Sequence, residues 1–355
     1  MTYSDEKLGV ALLGAGHAAR EHAAAIRRSG KAKLLIVHSR TLPLARSLAE
    51  EFSAKATDCL DDVLNDNSCK LVVVATEPQR HGVAIKAALA GKHLLIEKPV
   101  AVSLREAQRL DDAARNSNVI VSVVSQRRFD PSFFQLSSRL KEGRMGVPMA
   151  AHLSVFLYRP PTYFSGWRKQ FCGGITANLL IHHFDRLLTL FGPAHAIFAR
   201  LCTAPDCQAD KRADLLIDFG GFHVSVSASF DFPMNYGETL SISCGNGRLT
   251  LTNHRLDCSL HPFGLQKQRR KLEMLADLFR FQYRRQQPPS ASLDHQLEDV
   301  IASIQSLTPP AATLSEGVAA LRLAVAAHLS HSLDKWIFVD DPRLSDLYLG
   351  TPHDN

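Results

Sequence analysis

Residues 8–13 form an apolar run of strand length, and Gly14-Ala15-Gly16-His17-Ala18-Ala19 follows at once. Helix-compatible sequence continues to about Ser29, where Gly30 can close it. Strand, GxGxxA and helix in this order narrow the fold more than any other feature of the chain. Gly14 permits the tight turn, Gly16 lets a pyrophosphate approach the backbone, and Ala19 lets the helix pack close to the strand. The first helical residues, His17, Ala18 and Ala19, offer free N–H groups and the positive end of the helix dipole to the phosphates. The flanking strand and helix are the context that makes this a dinucleotide site and not a plain glycine turn.

A second strand, residues 34–37, ends in His38-Ser39-Arg40, about 20 residues after the glycines. A carboxylate there would hold the ribose 2′-hydroxyl of NAD, and none is present. Ser39 and Arg40 suit a 2′-phosphate, with Arg40 supplying charge and a planar face. NADP is therefore favoured over NAD. A helix over 42–52, a strand over 71–75 ending at Thr76, a helix over 81–90, a strand over 93–96, a helix over 104–116 and a strand over 119–124 continue the alternation. This rhythm predicts βαβ units and a doubly wound parallel sheet over residues 1–127.

The strand at 93–96 runs into Glu97-Lys98-Pro99. Proline has no backbone donor and stops the ladder there. Ligands bind beyond the carboxyl ends of strands in an open parallel sheet, so Lys98 falls where a cofactor and a substrate meet. A surface lysine after a strand is the plainer reading of the tripeptide by itself.

From residue 128 the rhythm changes. A helix to about 141 precedes strand candidates at 149–157, 195–201, 213–219, 222–230, 238–244 and 248–252, with Gly220-Gly221 and Gly245-Asn246-Gly247 as hairpin signals. Apolar helices at about 177–191, 293–307 and 315–330 are expected to cover one face. Residues 128–355 thus read as an α+β domain with a mostly antiparallel sheet.

The chain has 355 residues, 45% hydrophobic and 21% charged, which suits two globular domains. No run of residues approaches the length of a membrane helix, and the first ten residues carry no secretion signal. Seven cysteines without a CxxC pair suggest reduced thiols in a cytoplasm, with neither a disulfide framework nor a zinc site. The histidines lack metal-ligand spacing, so no metal is expected. The net charge of +6 is mild and suits an anionic ligand. Residues 267–285 are basic with interleaved aromatics; one short stretch of this kind reads as a solvated helix or insertion and not as a nucleic-acid surface.

A second chemical cluster lies downstream. Trp167-Arg168 precedes Cys172-Gly173-Gly174, and Asn178, His182 and Asp185 follow at helical spacing on one face. A neutral histidine can take or return an alcohol proton, Asn178 can orient its ring, and Asp185 can accept from a polyol hydroxyl. A histidine in an apolar helix is, read alone, more often a core residue.

GxGxxA at 14–19, EKP at 97–99 and CGG-x3-N-x3-H-x2-D at 172–185 together resemble the glucose–fructose oxidoreductase, inositol dehydrogenase and rhizopine-catabolism (Gfo/Idh/MocA) family of oxidoreductases. The likeness covers nearly the whole chain and includes Ala75-Thr76 with His81. It implies an N-terminal Rossmann domain, a substrate-binding and oligomerisation domain over 128–355 whose large, open, mostly antiparallel sheet often makes dimers or tetramers, and a nicotinamide cofactor across the strand ends. It implies that Lys98 contacts the nicotinamide ribose and the reacting hydroxyl, that His182 is the acid/base, and that Glu97, Thr76 and His81 lie along the cofactor site. Asn178, Leu180 and Cys172 depart from the family's commoner Asp, Gly and Gly. Asn at 178 and the stretch from Tyr158 to Arg168 resemble members similar to UDP-N-acetylhexosamine uronate 3-dehydrogenases.

The expectation is an NAD(P)-dependent enzyme interconverting a secondary hydroxyl and a ketone on a sugar, cyclitol or sugar derivative. His182 would move the proton, Lys98 would stabilise the oxyanion, and Arg168 would bind a substrate carboxylate or phosphate. The alternative is a sensor or regulatory protein of the same fold that has lost chemistry. The expected partner is a small sugar-like substrate, with neither nucleic acid nor membrane, and the expected assembly is a homodimer or homotetramer.

Overall fold

The computed structural model describes residues 7–203, 207–260 and 290–349. The basic stretch at 267–285 lies outside them.

Among the described residues the strands form two sheets. The first contains β1 (Leu8–Leu13), β2 (Ala32–His38), β3 (Lys55–Thr57), β4 (Cys69–Val74), β5 (His93–Ile96) and β6 (Val121–Val123), in the order β3-β2-β1-β4-β5-β6. Every recorded pairing in it is parallel. Its middle strands read as continuous apolar runs because helices cover both faces. These helices are α1 (His17–Ser29), α2 (Leu42–Phe52), α3 (Asp61–Leu64), α4 (Val83–Leu89) and α5 (Leu104–Asn116). The chain builds outward from β1 to β3 and then restarts on the other side at β4. The crevice between the ends of β1 and β4 is the topological switch point where such sheets take ligands.

After α6 (Pro131–Lys141), the strands β7 (Pro148–Phe156), β8 (Ala196–Thr203), β9 (Asp210–Asp218), β10 (His223–Ser229), β11 (Gly237–Cys244), β12 (Gly247–Thr252), β13 (Arg255–Leu260) and β14 (Ile337–Phe338) form the second sheet. Its order is β13-β12-β11-β7-β10-β9-β8-β14, and β7–β10 is its parallel pair. The expected hairpins at Gly220-Gly221 and at 245–247 are present. Short β3, β13 and β14 have no distinct sequence signal.

Two helical expectations need correction. The helix expected from 177 begins as a π-helical segment, Ile175–Leu180, and becomes regular α-helix as α7, Ile181–Phe191. The helix Ser290–Ser306 does not cover the second sheet. Leu293, Leu297, Val300 and Ile301 join the core made by β1, β2 and α1, and Arg28 pairs with Asp294 at 2.6 Å. Its apolar stripe is equally suited to either sheet, so its sequence does not choose between them. The chain thus crosses back onto the first domain well beyond residue 127. The closing helix, Leu314–Leu333, begins with a Thr313/Glu316 capping box and packs on α7 and β8. Its Gly317 lies so close to β6 that a Cβ would sit 2.5 Å from a Val123 methyl. No helix among the described residues is long and apolar enough to cross a membrane. No group of three His, Cys, Asp or Glu among the described residues is placed to hold a metal ion.

Candidate active site

At the end of β1, Gly14 takes φ +115°, and its N–H donates to the His38 carbonyl at 2.9 Å. A Cβ there would lie 2.4 Å from the Ala75 carbonyl oxygen, so this position needs glycine for both conformation and space. At Gly16 the situation is opposite: nothing lies within 4 Å of where a Cβ would be. Helix α1 starts immediately after it with no capping side chain and no acid in its first turn. His17 is exposed, Ala18 half-buried and Ala19 fully buried against the core. Across the crevice, the Thr76 hydroxyl is buried without a partner among the described residues. An open glycine, an uncapped helix start and an orphaned hydroxyl fit a dinucleotide's pyrophosphate.

Ser39 accepts the Thr41 N–H through Oγ at 3.2 Å, and exposed Arg40 makes no ion pair among the described residues. His81 is placed otherwise than expected. It is buried, with Nδ1 2.9 Å from the Pro99 carbonyl and Nε2 3.2 Å from the Thr76 carbonyl. Both ring nitrogens are turned to backbone, and burial pulls the imidazole pKa down. His81 therefore braces the loops after β4 and β5.

Lys98 follows β5 and precedes Pro99 through a cis peptide bond. Its Nζ donates to the Asn178 carbonyl at 2.7 Å and to Asn178 Oδ1 at 3.0 Å. Burial, with the charges of Arg127 and Arg168, lowers its pKa to about 8, against the opposing charge of Glu97. The Asn178 amide nitrogen in turn donates to the Tyr163 hydroxyl at 2.8 Å. Asn178 thus holds Lys98, and the expectation that it orients His182 is corrected: both ends of its amide are committed elsewhere. The His182 ring makes no hydrogen bond among the described residues. It is half-buried and shares a pocket with Lys98, Ser125, Asp185, Gly317 and Ala320. Burial first, then the charges of Lys98, Arg127 and Arg186, drive its pKa well below the usual histidine value.

Asp185 lies beside His182, but both its oxygens are occupied. Arg128 Nε and Nη2 donate to them at 2.7 and 2.6 Å. Burial raises the carboxyl pKa and this bidentate pair opposes the rise. The carboxylate expected to meet a substrate hydroxyl is thus engaged by Arg128 in an internal salt bridge. Arg168 sits over the rings of Trp167 and Tyr163 at 4.7 and 4.9 Å, and its Nε has no partner among the described residues. Gly173 is forced by this turn, because a Cβ would lie 2.3 Å from Arg168 Cα. Cys172 is buried with its thiol pushed up to about 12, which removes it as a nucleophile. Leu180 is fully buried in the core.

Other residues of the site escape sequence reasoning. His22 on α1 donates from Nε2 to Glu97 Oε1 at 2.9 Å. Glu238 on β11 takes Arg127, Arg186 at 2.8 Å and His183 at 3.4 Å. Burial then pulls His183 down to about 3 despite Glu238. Asp210 on β9 is fully buried and accepts the Thr176 N–H at 2.9 Å, capping the start of the π-helical segment. These partners lie tens of residues apart in the chain, so no local spacing announces them.

Comparison with known proteins decides the family. The profile described as "Oxidoreductase family, NAD-binding Rossmann fold" matches residues 8–125, and the GFO/IDH/MocA C-terminal domain matches 133–250. The chain belongs to the Gfo/Idh/MocA oxidoreductases. Curated relatives include the 1,5-anhydro-D-fructose reductase of Ensifer adhaerens, 30% identical over 52% of this chain and 58% of its own length. The scyllo-inositol 2-dehydrogenase (NADP(+)) of Bacillus subtilis is 28% identical over 56% of each chain. An uncharacterised Synechocystis oxidoreductase is 25% identical over 94% of this chain and 96% of its own. Apart from that last one, the chain spans between 38% and 58% of the first curated relatives it matches. Among solved structures, levoglucosan dehydrogenase in complex with NADH and levoglucosan superposes with a TM-score of 0.83 at 20% identity, covering 95% of this chain and all of its own. The WlbA dehydrogenase of Bordetella pertussis, in complex with NADH and UDP-GlcNAcA, gives 0.81 at 23%, covering 95% of this chain and 99% of its own. Both likenesses establish a shared fold. As a Gfo/Idh/MocA protein, the chain carries an NAD(P)-binding domain and a second domain that brings Asn178 and His182 to the ends of its strands.

Proposed function

We propose that this protein is an NADP-preferring oxidoreductase that interconverts a secondary hydroxyl and a ketone on a sugar, cyclitol or sugar derivative. The observation that carries this reading is the ammonium of Lys98, held by Asn178 at the carboxyl end of β5 and facing the pocket it shares with His182. The named relatives, a scyllo-inositol dehydrogenase and an anhydrofructose reductase, support the substrate class. Retention of Lys98 and His182 in one pocket supports turnover over the sensor alternative. Exposed Arg40, without a carboxylate at the end of β2, supports NADP.

Gly14, Gly16, the first N–H groups of α1, Thr76, Ser39 and Arg40 would hold the dinucleotide. When bound, its nicotinamide supplies the hydride acceptor or donor. The protein's part is to bind the sugar, exclude water and move one proton. A pKa of about 8 lets Lys98 exist in both forms near neutral pH. As an amine it takes the hydroxyl proton; as an ammonium it stabilises the oxygen and returns the proton to a ketone. His182 is kept neutral by burial first and then by the cations around it, so its imidazolium is too costly to serve as the proton's resting place. It donates or accepts one hydrogen bond at the reacting hydroxyl. This shifts the proton role expected of His182 onto Lys98.

The pH dependence tests the assignment. Sugar or cyclitol oxidation, followed by the absorbance of reduced nicotinamide, rises with pH through about 8, where Lys98 loses its proton, and ketone reduction falls through the same range. A midpoint below the ordinary histidine range that vanishes in His182→Asn returns the proton to His182. Exposed Met149 on β7 and Phe338 on β14 support the expected homodimer or homotetramer, which light scattering measures.

A further inference from the structure

His22 lies on α1, the helix that begins at the glycine turn, and is 2% exposed. Such a histidine three residues beyond Ala19 has the plain role of filling the helix–sheet interface. Its geometry gives it more. Nε2 donates to Glu97 Oε1 at 2.9 Å, and the other oxygen of that carboxylate accepts the Lys98 N–H at 3.3 Å. Glu97 is therefore fixed from both sides, by the cofactor helix and by the backbone of Lys98. We propose that His22 is a positioning residue for Lys98, clamping Glu97 so that a carboxylate charge stays beside the ammonium and the cofactor helix is tied to the lysine's loop.

The electrostatics run in the same direction. Burial raises the Glu97 carboxyl, but the His22 hydrogen bond, with the charge of Lys98, outweighs it and holds the carboxyl below its ordinary value. That charge raises the proton affinity of Lys98, whereas burial and the charges of Arg127 and Arg168 lower it. His182 is the further titratable group facing Lys98. Without the clamp, Glu97 turns or takes a proton, and Lys98 is left with Arg127 and Arg168 as its charged neighbours. Its pKa then falls further below the usual lysine value.

The inference rests on Lys98 as the proton-moving group, yet its test needs no turnover. Trace acetylation of the full chain with acetic anhydride across a pH series, read at Lys98 by mass spectrometry, gives the midpoint at which the amine becomes reactive. Wild type gives a midpoint near 8. Glu97→Gln lowers it by about one unit or more, and His22→Leu lowers it by more than half as much. His22→Gln, which keeps a donor of similar reach, restores the wild-type midpoint. Should His22→Leu fail to fold, His22→Asn takes its place, because its shorter amide does not span the gap. A wild-type midpoint in folded His22→Leu or His22→Asn overturns the proposal, and so does an unshifted Glu97→Gln. Normal turnover in Lys98→Met instead overturns the catalytic reading and leaves the clamp standing.

Discussion

At the rim of the parallel sheet, Gly16 faces open space and Thr76 keeps a buried hydroxyl without a partner. On the helical segment that faces this rim, Asn178 is tied to Lys98 and Tyr163, Asp185 to Arg128, and His183 lies against Glu238. One side of the site keeps backbone and hydroxyl groups free for a ligand. The other spends its polar groups on internal pairs and leaves His182 open. The rim binds through main-chain geometry that a short motif can encode. The facing helix depends on side-chain pairs between distant segments, which hold Lys98 and His182 in place before any substrate arrives.

The sharpest break in this contrast is Lys98→Met. Lysine is where the two sides meet, and its loss lowers turnover by at least about a hundredfold while reduced nicotinamide still binds. Unchanged turnover would remove Lys98 from the chemistry. The next test separates two kinds of glycine on the rim. Gly14→Ala forces a side chain into a left-handed conformation, with its Cβ 2.4 Å from the Ala75 oxygen. Its thermal midpoint falls by several degrees, for a cost of about 2 kcal/mol or more. At Gly16 a Cβ would meet nothing within 4 Å, and Gly16→Val is expected to keep the wild-type midpoint. A smaller effect probes the facing helix. Asn178→Ala leaves the backbone carbonyl for Lys98 but removes Oδ1, and turnover falls by about tenfold with little change in melting. Smallest of all, Arg40→Ala weakens NADPH by about fivefold and leaves NADH unchanged, since an exposed charge is screened by water. Equal loss for both nucleotides would move the 2′-phosphate site away from Arg40.

The same contrast explains what the sequence made legible. Gly14, Gly16 and Lys98 occupy the strand ends that the alternation of strands and helices implied, because short connections leave few topologies open. The hairpins at 220–221 and 245–247 followed from their glycines. The facing helix is legible in its apolar spacing, but its side-chain pairings are not. The spacing of 178, 182 and 185 assumed a regular helix, whereas residues 175–180 are wound as π-helix and Asp210 caps their start from β9. Asn178 turned to Lys98 and not to His182. Asp185 met Arg128, 57 positions earlier. His81 carried the right motif position but turned both nitrogens to carbonyls. The helix Ser290–Ser306 chose the first sheet because Leu293 and Leu297 fit against α1, a preference set by tertiary packing and invisible to periodicity.

On the proposed reading, the rim from Gly14 to Arg40 takes a dinucleotide ahead of Lys98. Titration of wild type and Gly16→Val with NADPH and with NADH, followed by nicotinamide fluorescence, is the decisive measurement. Micromolar or tighter binding of NADPH to wild type, weaker binding of NADH, and loss of both in Gly16→Val despite an unchanged fold are expected. Absence of micromolar binding to wild type, or undiminished binding to Gly16→Val, would contradict that reading.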